Sequence, residues 1–112
     1  MRRESAAYLW DVQRAASLIA SFIHGLTAET YSEDVLRKSA VERQLLIIGE
    51  ALNNLRKMDG ETAEKVPDLA RIVGLRNVLA HGYAMVDDEV VWQAASKRVP
   101  ELLREVQRLM NA

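Results

Sequence analysis

Apolar residues recur every three or four positions along most of this chain, which is the spacing of one face of an α-helix. The first segment with this pattern runs from Glu4 to His24 and is followed by Gly25, a residue that commonly comes directly after a helix. We therefore predict a first helix there, with His24 in its last turn. Since the helix dipole favours a cation at that end, a capping or surface role for His24 is preferred to a catalytic one.

A second and longer helix is predicted from Asp34 to Met58, after a short connector at residues 27–31. Ser32 or Asp34 can cap this helix, because their side-chain oxygens can accept from its first free N–H groups. Leu46 and Ile47 add apolar surface outside the main stripe, which is typical of a helix packed on more than one side. The segment is thus predicted to be central or to lie at a subunit interface. Its predicted buried face consists of Val35, Ala40, Val41, Leu45, Ile48, Leu52 and Leu55.

Charged residues border the apolar part of this second helix. Carboxylates on helices are commonly exposed or ion-paired, and that interpretation is preferred for Glu42 and Glu50. Arg43 is interpreted in the same way, although its guanidinium also suits contacts with phosphate.

The second half of the chain predicts two further helices. Asp59-Gly60 marks a turn, and residues 61–66 are predicted to form one short helical turn. Pro67 is then predicted as the first residue of a helix that extends to Tyr83, because proline is favoured at that position. The acidic run 87–89 fits the first turn of a last helix better than a metal site, and Pro100 is expected to kink or split that helix.

These patterns predict an all-α fold, because the helical spacing covers nearly the whole chain and no segment alternates as a strand does. We expect four main helices and one or two short helical turns in a single domain, residues 1–112. Hydrophobic residues make up 49% of the chain, which is typical of a globular protein and too high for a disordered one.

Composition narrows the class of function. The chain has no cysteine and two histidines far apart in sequence, which argues against disulfides and against a zinc site, so no metal or other cofactor is expected. No apolar run approaches the about 18 residues of a membrane span, and a reducing cytoplasm is the predicted location. The net charge of −1 argues against a broad surface for nucleic acid but permits a local site.

Residues suited to chemistry cluster in one stretch, Arg76-Asn77-Val78-Leu79-Ala80-His81-Gly82-Tyr83. On an ideal helix Arg76 and Tyr83 lie on the apolar stripe, so a guanidinium interrupts a core face and requires a partner. His81 lies roughly 140° from Arg76. The two can converge if Gly82 ends the helix, or if a second chain brings its own copies to one cleft. The stripe consists of Leu69, Ile72, Val73 and Ala80, and the side of His81 consists of Ala70, Gly74 and Asn77.

These side chains suit cleavage of RNA, which carries its own nucleophile in the 2′-hydroxyl. Histidine titrates near neutral pH, so His81 suits the proton transfer. Arg76 suits the charge that develops on the phosphorus oxygens, and Asn77 can orient His81 or bind a phosphate oxygen. No metal is required, and the predicted products carry a 2′,3′-cyclic phosphate and a 5′-hydroxyl.

The motif resembles that of the HEPN superfamily, and in particular its HepT-like toxin branch. The likeness extends to residues 72–75 directly before the motif, to 46–51 upstream and to 90–92 downstream, in the same order along the chain. It implies a compact antiparallel bundle of four to five helices that forms a homodimer or a higher even oligomer, with two motif copies facing one cleft. It further implies a metal-independent endoribonuclease that acts as the toxin of a type VII toxin–antitoxin pair, with Arg76 and His81 as catalytic residues.

The resemblance also implies a partner, a minimal nucleotidyltransferase antitoxin that neutralises the toxin by transferring AMP from ATP to Tyr83. From the residues alone, Tyr83 suits core packing with a hydrogen-bonded hydroxyl equally well. Two other interpretations of the chain stay open. In one, a non-catalytic partner of a nucleotidyltransferase binds nucleotide phosphate through Arg76 and His81. In the other, an inert dimeric scaffold pairs Arg76 with Glu50 or Glu42.

Overall fold

The computed structural model describes residues 1–81 and 86–112, and within these two ranges it contains helices and turns but no strand. The predicted all-α fold is therefore confirmed. A five-residue π-helical segment, Ala94–Arg98, joins the last two helices without a break. The helices are α1 (Arg3–Ile23), α2 (Ala28–Glu33), α3 (Val35–Met58), α4 (Gly60–Ala63), α5 (Leu69–Ala80), α6 (Asp88–Gln93) and α7 (Val99–Met110).

The ends of the first helices follow from identifiable residues. Gly25 has a φ of 79°, a conformation that residues with side chains rarely adopt, and it follows directly after the C-cap of α1. Thr27 and Thr30 form a reciprocal capping box that starts α2. Asp34 caps α3, because its carboxylate accepts from the N–H of Arg37 at 3.0 Å.

The long helices pack antiparallel around α3. The side chains of Arg2 and Ser5, at the start of α1, donate to Met58 O and to Asp59 at the end of α3. α5 begins beside Arg56, also near the end of α3, and runs back along that helix. α3 thus packs on both α1 and α5, as its broad apolar surface predicted, and α7 covers the other side of α1.

The predicted buried face of α3 is correct from Val41 to Leu55 but wrong at Val35, which is 71% exposed. Winding back from Val41 at the helical angle places Val35 roughly 120° away from the buried stripe. The first turn of α3 therefore presents this valine to solvent, and Ala40 is half-buried.

α5 starts two residues later than predicted and ends three residues earlier. Pro67 is not its first residue, because Asp68 adopts a φ of 57° in the left-handed region and the helix begins only at Leu69. A left-handed residue changes the direction of the chain, so an α-helix cannot run through it. The predicted end at Tyr83 is wrong as well, since α5 ends at Ala80 and His81 is its C-cap.

Pro100 occupies the second position of α7, where the chain continues as a helix. The expected distortion occurs just before it, as the π-helical segment Ala94–Arg98. Proline has no N–H, and its ring collides with the carbonyl four residues earlier, which here is that of Ser96. A π-turn is wider than an α-turn and moves this carbonyl away, so the helix bulges instead of splitting.

Tyr31 packs the short helix α2 against α6. Its side chain is fully buried, and its ring centroid lies 5.3 Å from that of Trp92. Burial raises the pKa of Tyr31, and the charges of Glu42 and Asp88 raise it further. Lys38 Nζ lies 3.0 Å from Asp88 Oδ2, which ties the start of α6 to α3.

Asp59 joins three helices through one carboxylate. It accepts from Ser5 Oγ in α1 at 2.7 Å, and from the hydroxyl and the N–H of Thr62 in α4 at 2.6 and 3.2 Å. These donors favour the ionised form, so they lower the pKa of Asp59 from 3.8 to about 2, with the Thr62 hydroxyl as the largest cause. The ionised carboxylate therefore stabilises the fold above its ordinary pKa, and this contribution is lost as the pH falls through about 2.

We expect the free energy of unfolding to fall between about pH 4 and about pH 2 more steeply in the wild type than in an Asp59→Asn variant. Asparagine keeps the shape of the side chain but has no charge to lose. Urea unfolding across this pH window measures the two slopes. Glu61→Gln is the matched control, because it removes an exposed carboxylate of α4, and its slope should follow the wild type. Equal slopes for the wild type and Asp59→Asn would contradict the role of this carboxylate.

Candidate functional site

Arg76 of α5 packs against α3 at a glycine. Gly49 is buried in the middle of α3, and a Cβ placed on it would overlap Cβ and Cγ of Arg76. The two helices therefore approach closely at this point, and the aliphatic part of the Arg76 side chain lies directly on the α3 backbone. The sequence predicted that a guanidinium would interrupt the core face of α5. Arg76 does so beside the buried residues Ile72 and Val73.

The guanidinium of Arg76 is held by two side chains. One terminal nitrogen forms a salt bridge with Glu50, the residue that follows Gly49, and the other donates to Asn77 Oδ1 at 2.9 Å. The Arg76 side chain is 27% exposed and that of Glu50 53%, so this pair contributes roughly 0–1 kcal/mol to stability. Its main effect is to orient Arg76. A guanidinium has five N–H donors, and these two contacts leave donors for a further anion.

A cleft with a volume of about 370 Å³ opens beside Arg76, between α1, α3 and α5. Its lining is partly apolar and also includes guanidinium, carboxylate, amide and phenol groups. α3 supplies most of the wall, through a single face of the helix. The lining residues are Tyr8, Asp11, Arg43, Leu46, Ile47, Glu50, Ala51, Asn54, Arg76 and Ala80.

His81 lies at the C-cap of α5, where its backbone leaves the helical conformation with φ −96° and ψ 11°. Its side chain is exposed, and its N–H donates to Asn77 O at 3.2 Å. His81 follows Ala80, which lines the cleft, but is not itself part of the lining. α5 thus ends before Gly82, but the structure does not bring His81 into the lining of the cleft beside Arg76. Gly82 and the predicted modification site Tyr83 lie outside the described residues.

Asn77 contacts Arg76, a partner that the sequence did not predict. The two predicted roles were to orient His81 and to bind a phosphate oxygen, and in the structure its amide oxygen accepts from Arg76. Asn77 is exposed, as are Ala70 and Gly74 on the same side of α5. Among the described residues, Asn77 thus supports the guanidinium and not the imidazole.

Sequence reasoning missed three residues of the cleft and the glycine behind Arg76. Tyr8, Asp11 and Asn54 received no functional role, and Gly49 was not recognised as the position against which Arg76 packs. The spacing of Arg43, Glu50 and Asn54 was the available signal, because positions separated by seven and four residues share a helix face. Gly49 carried a signal too, since a glycine inside a long helix costs stability unless a close approach requires it.

Among residues 1–81 and 86–112, no group of three or more His, Cys, Asp or Glu side chains is placed to bind a metal ion. No helix in the same ranges is both long enough and apolar enough to cross a membrane.

The helical bundle, with an arginine and a histidine spaced along its third long helix, belongs to the HEPN type of protein. The sequence matches the family model named HepT-like, described as "Ribonuclease HepT-like", over residues 12–109. This range includes the cleft from α3 and α5 together with Arg76 and His81. The chain is therefore a member of the HepT-like ribonuclease family, as the motif indicated.

Similar proteins match over almost their full length. A protein of Thermococcus cleftensis named "Probable ribonuclease HepT" is 32% identical over 111 residues, which cover 97% of this chain and 98% of that protein. One named "Putative RNase" from Caldanaerobacter subterraneus subsp. tengcongensis is 32% identical over 104 residues, covering 93% and 92%. Another "Putative RNase", from Methanocaldococcus jannaschii, is 31% identical over 108 residues, covering 95% and 96%. No solved structure matches the chain.

The close approach at Gly49 predicts opposite effects for two glycine substitutions. Gly49→Ala should lower the free energy of unfolding by about 1–3 kcal/mol, because the new methyl group must displace Arg76 or separate α3 from α5. Gly74→Ala is the matched control: it is also inside a helix, but nothing lies near the added Cβ. It should raise stability by about 0.5–1 kcal/mol. Urea unfolding of both variants tests this, and a neutral Gly49→Ala would contradict the tight contact.

Proposed function

We propose that this chain is a metal-independent endoribonuclease and the toxin of a type VII toxin–antitoxin pair. The observation that carries the proposal is the placement of Arg76 in a cleft, oriented by Glu50 and Asn77, with His81 at the end of the same helix. Membership of the HepT-like ribonuclease family and the names of the relatives support RNA as the substrate. A cytoplasmic location agrees with such a substrate.

The proposed reaction uses the 2′-hydroxyl of the RNA as the nucleophile. His81 takes part in proton transfer, either removing the proton of the 2′-hydroxyl or protonating the leaving 5′-oxygen. The 2′-oxygen attacks phosphorus, the bond to the 5′-oxygen breaks, and a 2′,3′-cyclic phosphate and a 5′-hydroxyl result. Arg76 stabilises the negative charge that grows on the phosphate oxygens, through the donors that Glu50 and Asn77 leave free. Asn77 is then a positioning residue that holds Arg76.

We also propose that the chain acts as a single domain and as a homodimer or higher even oligomer. The exposed His81 stands outside the lining of the cleft of its own chain, and this supports a site completed by a second copy. In such an arrangement the histidine of one chain and the arginine of the other need not lie on the same side of one helix. Reaction geometry would then depend on the dimer.

Cleavage of RNA by the purified protein in excess EDTA tests the ribonuclease proposal. The wild type should cleave and leave cyclic-phosphate ends, while His81→Ala should lose at least about a hundredfold in rate, as is usual when an acid–base group is removed. His24→Ala, which removes the other exposed histidine, should retain the wild-type rate. Products with a 3′-hydroxyl, or activity that EDTA abolishes, would contradict the mechanism.

Failure of a folded, unmodified wild type to cleave any RNA would favour the non-catalytic alternative. In that case Arg76 and His81 would bind the phosphates of a nucleotide, and His81→Ala would weaken nucleotide binding. An inert scaffold would show neither cleavage nor binding. The salt bridge between Arg76 and Glu50 is the observation on the side of the scaffold, because it already satisfies part of the guanidinium.

Neutralisation by a minimal nucleotidyltransferase antitoxin is the second part of the proposal. Tyr83 follows His81 by two residues, so an AMP group on its hydroxyl would bring an anionic, bulky group close to the motif and oppose the entry of RNA. Co-expression with the cognate nucleotidyltransferase should increase the mass of the wild-type chain by one or more AMP units and abolish cleavage. Tyr83→Phe should keep its mass. Modification of Tyr8 or Tyr31 in place of Tyr83 would overturn the assignment.

A further inference from the structure

The cleft beside Arg76 contains more polar groups than the proposed reaction uses. Tyr8, Asp11 and Asn54 line it, and Arg43 adds a second guanidinium. Tyr8 packs partly against the core, so its ring is held in place, while Arg43 is exposed. These residues have no part in the chemistry assigned to Arg76 and His81.

These groups are arranged in a definite order along the cleft. Arg43, Glu50 and Asn54 lie on one face of α3 and span roughly 16 Å of helix axis. Since α1 runs antiparallel with Ser5 opposite Asp59, Tyr8 lies near the Asn54 end. Arg76 packs against Gly49 and therefore lies between the two ends of the cleft.

A nucleobase fits the end of the cleft where Tyr8 lies. Bases stack on aromatic rings, and such stacking tolerates any base because every base has a π-face. Asp11 follows Tyr8 by three residues on the same face of α1, and its carboxylate accepts hydrogen bonds but repels phosphate. That end therefore favours a base, whereas the opposite end, with Arg43, favours phosphate.

We propose that the cleft is a subsite for one unpaired nucleotide of RNA. Tyr8 stacks on its base, Asp11 accepts from the edge of that base, and the amide of Asn54 accepts from or donates to the same edge. Arg43 binds a phosphate next to the one held by Arg76. The identity of the ligand as RNA rests on the proposed function. The substrate is then single-stranded or looped RNA, because a cleft of about 370 Å³ lies at the low end of ligand pockets and cannot enclose a duplex.

Binding of a short RNA strand measures the contribution of Tyr8. Methylated 2′-hydroxyls prevent cleavage, and fluorescence anisotropy gives the dissociation constant. We expect Tyr8→Leu to weaken binding about tenfold and Tyr8→Phe to stay within about twofold of the wild type. Trp10→Leu is the matched control, since Trp10 is an aromatic residue of α1 that is 54% exposed and does not line the cleft. It should bind as the wild type does, and the same RNA annealed to its complement should bind at least about tenfold more weakly.

Arg43 allows a test that does not depend on the folding of Tyr8 variants. Arg43→Ala removes an exposed side chain and should reduce the slope of log Kd against log salt by about 0.7, the value for one phosphate contact on a single strand. Arg56→Ala, on the same helix but outside this cleft, should leave the slope unchanged. Circular dichroism of each variant confirms that the helical fold is retained.

The two proposals fail in different ways. RNA cleavage by the wild type, with unchanged binding in Tyr8→Leu and in Arg43→Ala, would overturn the nucleotide subsite and leave the ribonuclease proposal standing. Tighter or equal binding of the duplex would also overturn the subsite. Binding that depends on Tyr8 and Arg43 without any cleavage would support the subsite and overturn the ribonuclease proposal.

Discussion

The packing of Arg76 against Gly49 is the contact on which the geometry of the cleft depends. Without a side chain at position 49, α5 comes close enough for a guanidinium to lie across α3 and reach Glu50. The energy of that ion pair is small, because both groups are partly exposed. The pair instead fixes the position of the flexible, charged side chain of Arg76 beside the cleft. The α3 backbone shields the methylene groups of Arg76, while its guanidinium remains partly exposed to solvent.

Polar contacts near the two ends of α3 hold the neighbouring helices in place around this contact. Asp59 receives hydrogen bonds from α1 and α4 at one end of α3, and Lys38 binds Asp88 of α6 near the other end. Both are polar contacts that set register, whereas the apolar faces of the helices supply the bulk of the stability. Because α1 and α5 both run antiparallel to α3, residues distant in sequence, such as Tyr8 and Arg43, line one cleft.

Arg76 and His81 take different positions relative to the cleft, because Arg76 lines it and His81 does not. Arg76 occupies the middle, where a phosphate at either side of it would meet a different surface. His81 is the C-cap of α5: its N–H still donates to Asn77 O, but its own backbone has left the helical conformation. A histidine at a helix end and an arginine inside the helix differ in rigidity as well as in chemistry. The guanidinium is oriented by Glu50 and Asn77, whereas the imidazole is exposed to solvent.

The sequence by itself determined the helical fold, the course of α1 and α3, and the motif that identifies the family, since these depend on local periodicity, capping residues and spacing. It also showed that Arg76 must need a partner. Only the tertiary structure decided that this partner is Glu50 and that Asn77 supports Arg76. The same holds for the left-handed Asp68 that delays α5, the π-turn before Pro100, and the placement of Tyr8 in the cleft. Each of these depends on how two helices meet, and the distance between helices is set by side chains far apart in the chain, which local patterns do not record.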